Sequence, residues 1–271
     1  MNASVLVTVE ELQRSLVGDR PPLVFDCRVF RNEEQASSRR YLPESLSLDL
    51  ERDLSAPPGE GGRHPLPSHD DFTATLQAKG VTRERPIVVY DDNGGQLAAA
   101  RAWWMIAHWA GHPDVRVLDG GMTAWALAAG ELVEMTAEPR ERSQWLPAFD
   151  DEALVSASAL LARGGQLVDA RALPRFRGVE EPLDPVAGHI PGAKCRPCSE
   201  NLDATGHFKS PRRLAEELPR ADSVTVYCGS GVTACHNILA YAVAGLPLPR
   251  LYAGSWSEWI RDPARPVATG D

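Results

Sequence analysis

Short stretches dominated by β-branched and apolar residues alternate along this chain with stretches in which apolar positions recur at helical spacing. The first kind comprises Pro22 to Arg28, Pro86 to Asp91, Gln166 to Arg171 and Val224 to Cys228. Runs that are apolar on both faces mark buried parallel strands. The second kind includes Ala234 to Ala244, closed by Gly245-Leu-Pro247, a helix with its stop signal. Thr8-Val-Glu-Glu11 and Ser156-Ala-Ser158 ahead of Leu160-Leu161 read as capped helix starts. Strands alternating with helices predict an α/β fold with mainly parallel sheets flanked by helices.

The pattern occurs twice. Asp26 and Arg28 close the first strand of one half, and Asp169 and Arg171 close its counterpart 143 residues later. The strand ending at Asp91 matches the strand ending at Cys228, and Leu118-Asp-Gly-Gly-Met-Thr-Ala-Trp125 matches Tyr252-Ala-Gly-Ser-Trp-Ser-Glu-Trp259. Landmarks recurring in order indicate a duplication. The polar, proline-containing stretch Glu131 to Asp151 is the expected linker, which divides the chain into domains 1–140 and 141–271. Leu54 to Arg63, rich in Pro and Gly, is expected to be a long exposed loop, and loops of that length are often functional.

One stretch carries reactive chemistry. The strand Val224 to Tyr227 ends at Cys228, followed by Gly229-Ser230-Gly231 and a helix. In such folds ligands bind at the carboxyl ends of the strands. A thiol there faces the unpaired N–H groups and positive dipole end of the next helix, which favour an anion. That setting makes Cys228 a candidate nucleophile, and the glycines leave its sulfur uncovered. The matching residue of the first half is Asp91, a poor nucleophile, so the halves are expected to differ in role, the first supporting the second.

Composition narrows the classes. The chain has 271 residues, 43% hydrophobic and 24% charged, as in a soluble globular protein of one large or two ordinary domains. A net charge of −9 argues against nucleic acid or an anionic membrane as partner. No run of 18 apolar residues occurs, so no membrane-spanning helix is expected. The N-terminus lacks the basic start of a signal peptide. Five cysteines, at 27, 195, 198, 228 and 235, fit a reducing compartment, and the cytoplasm is the expected location.

Gly188-His-Ile-Pro-Gly-Ala193, Cys228-Gly-Ser-Gly-Val-Thr-Ala234 and Gly254-Ser-Trp-Ser-Glu-Trp259 together resemble the tandem-domain rhodanese family, across nearly the whole chain. The resemblance implies two rhodanese-like domains, of which only the second has the cysteine. It implies transfer of a sulfane sulfur to a thiophilic acceptor, such as a thiol, thioredoxin or cyanide, through a persulfide on Cys228. Within the family a Cys-Arg-Lys-Gly-Val-Thr loop goes with thiosulfate, and the Cys-Gly-Ser-Gly-Val-Thr loop present here is similar to that of 3-mercaptopyruvate sulfurtransferases. A loop without cations offers less to dianionic thiosulfate, whereas the Ser230 hydroxyl can bond a thiol or a developing enolate. Thiosulfate as donor, and a non-catalytic rhodanese-like binding protein, are the alternatives.

The same resemblance assigns further roles. The backbone N–H groups of Gly229 to Ala234 would cradle the outer sulfur, with Gly229, Gly231, Val232 and Thr233 as binding residues, and Arg175 would grip the donor's carboxylate. The second arginine of some mercaptopyruvate enzymes falls on Glu181-Pro-Leu183-Asp, where none is present; Arg177 or Arg171 could substitute, although Arg171 is expected to partner Asp169. His64, in His64-Pro-Leu-Pro67, would pair with Ser230 in a proton relay. Its acidic partner lies among Asp49, Glu51 and Asp53, with Glu51 chosen. Trp256 and Trp259 are read as core and pocket wall, and Cys235 as buried packing. Cys195-Arg-Pro-Cys198 lacks a second pair and is a weak zinc signal; it is read as coincidental, with redox control as the minority view. No metal or organic cofactor is implied. A phosphatase is rejected because Ala234 stands where Cys-x5-Arg needs its arginine, and no cysteine-protease signature is present.

Overall fold

A computed structural model describes residues 4–29, 39–134, 137, 141–162 and 165–271; the boundary expected near residue 140 lies outside them. The chain forms two compact units, and neither is one unbroken stretch. The first comprises Met1–Leu54, Pro67–Asp150 and Ala204–Phe208, the second Ser55–Leu66, Asp151–Asp203 and Lys209–Asp271.

In the first unit β1 (Leu6–Val7), β2 (Leu23–Asp26), β3 (Ser45–Ser47), β4 (Ile87–Tyr90) and β5 (Val115–Leu118) form one sheet in the order β1-β5-β4-β2-β3. All pairings are parallel. Every residue of β2 and β4 is buried, as expected of central strands covered on both faces. Helices α1 (Val9–Leu16), α2 (His69–Ala78) and α3 (Ala98–Trp103) lie in the crossovers, and α4 (Gly121–Leu127) follows the last strand. Thr8 caps α1 through a full capping box with Glu11, and α3 runs on into a π-helical stretch, Trp104–Trp109. The core brings Val24 and Val88 of the sheet against Val9 and Leu12 of α1 and Trp125 of α4.

The second unit repeats this plan. Its strands are β6 (Gln166–Asp169), β7 (Lys194–Cys195), β8 (Val224–Tyr227) and β9 (Arg250–Leu251), parallel in the order β7-β6-β8-β9. A parallel bridge from Leu154 to Leu251 stands where β1 pairs with β5. Helices α5 (Ala157–Ala162), α6 (Leu173–Phe176), α7 (Pro211–Glu217), α8 (Ala234–Val243) and α9 (Ser255–Trp259) connect them. The Ser156 hydroxyl accepts the Ala159 N–H, which is the expected cap. Even the register repeats: Asp26 pairs with Tyr90 in one sheet, and Asp169 with Tyr227 in the other. Strand order reverses between β6 and β8, so the crevice beyond their carboxyl ends is the switch point where such sheets bind ligands. The segments after both strands, starting at Ala170 and Cys228, open into it.

Candidate active site

Cys228 follows β8 directly and, contrary to the uncovered sulfur expected from the flanking glycines, is buried, 2% exposed. The first turn of α9 holds it from behind. The N–H groups of Trp256 and Ser257 donate to the carbonyls of Cys228 and Gly229, at 3.0 and 2.9 Å. The Cys228 N–H donates to Ser255 Oγ at 3.1 Å, and that hydroxyl donates to the Tyr252 carbonyl at 2.9 Å. With its carbonyls pinned on α9, the loop leaves N–H groups on its other side. Those of Gly229, Ser230, Val232 and Thr233 find no acceptor among the described residues. Gly231 has φ +77°, a left-handed conformation that curls the loop and that a side chain resists.

The first unit shows what such a loop holds. There Asp91 takes the cysteine's place, and the loop wraps its carboxylate: the N–H groups of Asn93 and Gly95 donate to Oδ1 at 3.0 and 2.8 Å, and those of Leu97 and Ala99 to Oδ2 at 3.3 Å. Four converging N–H groups make an anion nest. Burial pushes the Asp91 carboxyl up while the backbone donors pull it down.

His64 Nδ1 lies 2.7 Å from Ser230 Oγ, so the structure brings together the pair expected to relay a proton. The histidine sits on Ser55–Leu66, which is not the long exposed loop expected from its prolines and glycines but packs as part of the second unit, with Ser55 and Gly62 buried. Its prolines and glycines shape it: Gly59 and Gly62 exchange backbone hydrogen bonds, and Ala56 N–H donates to the Pro65 carbonyl. The Arg63 N–H donates to Ser257 Oγ at 3.1 Å, anchoring the segment on α9.

Around the mouth lies an alternating array of charges. Arg171 is clamped bidentately on Asp169, with Nη2 to Oδ2 at 2.7 Å, both side chains almost wholly buried; its expected structural role is what the geometry gives. Arg177 pairs with Asp271 on the surface. Arg175 donates from Nε and Nη2 to both oxygens of Glu181, at 3.2 and 2.7 Å. Although burial works against it, the Arg175 guanidinium holds the Glu181 carboxyl below its usual range. Asp184 bridges Arg175 Nη2, at 3.3 Å, and Arg63 Nη1. Neither Arg63 nor Ser255 was singled out from the sequence. A signal for Ser255 existed, since the repeat alignment sets it opposite Gly121 and both adopt positive φ, +54° and +56°.

The remaining expected residues are placed as follows. Val232 is buried in the loop that follows Cys228, and Thr233 stands just before α8 at its N-terminus. Glu51 is an exposed residue of the first unit whose N–H donates to Asp49 Oδ1, whereas Asp53 is buried and ion-paired with Arg52 and Lys79. Trp256 and Trp259 lie in the second unit's core. Cys235 is fully buried, its thiol directed at the Gly231 carbonyl. Burial pushes the Cys195 and Cys198 thiols up to about 12. Among the described residues no cluster of three or more His, Cys, Asp or Glu is placed to hold a metal ion, and no helix is long and apolar enough to cross a membrane.

Fold and site together define a duplicated α/β protein that places one cysteine, followed by a loop with backbone N–H groups unpaired among the described residues, at the switch point of its second sheet. The chain belongs to the rhodanese-like family, whose domain matches residues 8–128 and again 154–262. Over its full length it is 46% identical to a Pseudomonas aeruginosa protein named "Probable 3-mercaptopyruvate sulfurtransferase", and the match spans all of both chains. It is 34% identical to the thiosulfate sulfurtransferase of Gallus gallus, over 85% of this chain and 82% of that one. The solved 3-mercaptopyruvate sulfurtransferase of Leishmania major superposes with a TM-score of 0.82 at 28% identity, over 96% of this chain and 76% of that one.

Proposed function

We propose that the protein is a sulfurtransferase that takes sulfur from 3-mercaptopyruvate onto Cys228 and passes it to a thiophilic acceptor. The observation that carries this reading is the repeated loop. In the first unit it folds N–H donors around the Asp91 carboxylate; the corresponding loop of the second unit, one residue shorter before its helix, follows Cys228 with backbone N–H groups left without an acceptor among the described residues, and a Cys228 persulfide would place an anionic sulfur before them.

The Cys228 thiolate attacks the sulfur of the donor. The S–S bond forms as the donor's C–S bond breaks, and the electron pair leaves on the enolate of pyruvate. His64, acting through the Ser230 hydroxyl 2.7 Å away, supplies the proton that turns the enolate into pyruvate, a general-acid step worth about 10²–10⁴ in rate. The persulfide loses its proton to the medium and sits as an anion among the loop N–H groups. An acceptor thiolate, a thioredoxin-type dithiol or cyanide then takes the outer sulfur and leaves Cys228 as thiolate.

Support for 3-mercaptopyruvate over thiosulfate comes from the Pseudomonas relative, from a loop with no cation of its own at 229 or 230, and from the guanidinium of Arg175 beside Gly229, suited to one carboxylate. The Gallus relative keeps thiosulfate as the second reading. Five free thiols favour the cytoplasm as its location. The test is a paired steady-state assay of both donors with cyanide as acceptor, with Cys228→Ser alongside. We expect a kcat/KM advantage for 3-mercaptopyruvate, a mass increment of one sulfur atom on Cys228, and no turnover in the variant. Turnover retained by Cys228→Ser would overturn the mechanism, and a thiosulfate preference would overturn the donor.

A further inference from the structure

We infer that Arg63 is a specificity-determining residue which, with Arg175, forms a two-guanidinium clamp for the carboxylate of a short donor at Cys228. The inference rests on the proposed sulfurtransferase reading and adds to it the residue that selects the donor.

The clamp shows itself in the space beside Gly229. A Cβ at that residue would lie 2.8 Å from Arg63 Nη2 and 3.4 and 3.5 Å from Arg175 Nη2 and Nη1. Two guanidiniums from distant parts of the chain therefore converge on the residue next to the cysteine, in the volume a side chain would need. Carboxylates hold them from beneath. Asp184 takes Arg63 Nη1 and Arg175 Nη2, and Glu181 takes Nε and Nη2 of Arg175. Both acids are nearly sealed, with side chains 4% and 3% exposed, while Arg63 is 29% and Arg175 17% exposed. The anions lie below and the cations face the opening.

Hydrogen-bond accounting supports the same conclusion. Arg63 Nη2 and Arg175 Nη1 find no acceptor among the described residues. Guanidinium N–H groups match a carboxylate's two oxygens, so two such groups converging beside Gly229 can take one carboxylate together. Gly229 directly follows Cys228. The donor that fits carries its carboxylate only a few bonds from its transferable sulfur, as a 2-oxo acid with a 3-thiol does. Asp184 has no need to leave, because each guanidinium offers the ligand a different nitrogen from the one that Asp184 holds.

The experiment compares wild type, Arg63→Gln and Arg63→Lys with 3-mercaptopyruvate and with mercaptoacetone, the same thiol ketone without the carboxylate. Pyruvate binding to each protein is titrated calorimetrically in parallel. Arg63→Gln is expected to raise KM for 3-mercaptopyruvate and Kd for pyruvate roughly tenfold or more, the size of a lost charge-assisted hydrogen bond. Its KM for mercaptoacetone stays within about twofold, and Arg63→Lys recovers part of the loss. Equal losses with both donors mean that Arg63 only supports the loop, and overturn the clamp. Unchanged pyruvate affinity, or no pyruvate binding to wild type, overturns it too. Failure of wild type to use 3-mercaptopyruvate would instead sink the proposed function, and the pyruvate titration would still decide the clamp.

Discussion

Replacing Gly231 by alanine separates the cost of backbone strain from the cost of deforming the cradle. Gly231 has φ +77°, and an added Cβ would stand 3.1 Å from the Ala253 carbonyl carbon, 3.2 Å from its Cα and closer still to its oxygen. The left-handed conformation costs a non-glycine residue about 1–2 kcal/mol. The overlap adds about 1–3 kcal/mol, because the obstacle is backbone and cannot rotate away. Ala253 is fixed at both ends: Tyr252 N–H donates to the Val226 carbonyl, and Trp256 N–H to that of Cys228. The control is Gly245, with φ +67° at the end of α8 and nothing within 4 Å of an added Cβ. Gly245→Ala incurs only the first cost, about 1 kcal/mol, and Gly231→Ala about 3 kcal/mol in total. In urea, with a slope of about 1–3 kcal/mol per molar, the Gly231→Ala midpoint falls roughly 1 M below that of Gly245→Ala. A displaced cradle also lowers kcat/KM, by on the order of 10² for a shift of about 1 Å, while Gly245→Ala keeps wild-type turnover. Equal midpoints for the two variants, or undiminished turnover in Gly231→Ala, would refute the reasoning.

Other substitutions probe the supports of the site. Ser255→Ala keeps the positive φ and removes the acceptor of the Cys228 N–H, so it is expected to cost about 1–3 kcal/mol; Ser255→Gly offsets part of that loss by relieving strain, and a glycine variant less stable than the alanine one in chemical denaturation contradicts the assignment. Asp169→Asn strips the buried Arg171 of its bidentate partner, at a cost of about 3–5 kcal/mol, or a melting temperature lower by roughly 10 °C; a shift of only a degree or two tells against it. Glu181 is held below its usual 4.5 when folded. Its ion pair therefore contributes stability in full above that value, and the contribution fades as pH falls toward the folded pKa. Glu181→Gln should accordingly flatten the acid limb of the stability profile, and an unchanged limb shows that the pair does not contribute. With thiols at about 12, Cys195 and Cys198 should resist iodoacetamide at pH 8, as peptide mass mapping would show, and rapid labelling of either means that its burial is not maintained in solution.

Most of the fold was legible because its determinants are local and occur twice. A buried strand ending in Asp, one residue, then Arg closes a ladder position and clamps its own ion pair, as Asp26–Arg28 and Asp169–Arg171 both do. The glycine-containing loop before α8 likewise marks Cys228 and Ser230 without help from the rest of the chain. What escaped the sequence depends on long-range closure or on backbone angles. Ser255 matters through its positive φ, and a serine carries no mark of that except its alignment with Gly121. Arg63 meets Asp184 across 121 positions of sequence, on a segment that leaves its own repeat to pack with the other unit. The local motif shows only that Leu183 stands where an arginine was expected, and it suggests searching nearby. The nearby candidates are engaged, Arg171 by Asp169 and Arg177 by Asp271. The cation inferred above comes instead from the loop that carries His64, so the residues proposed to move the proton and to choose the donor share one anchor, the Arg63 N–H on Ser257. On that reading donor choice and proton delivery would be coupled through a segment that no pattern around Cys228 reveals.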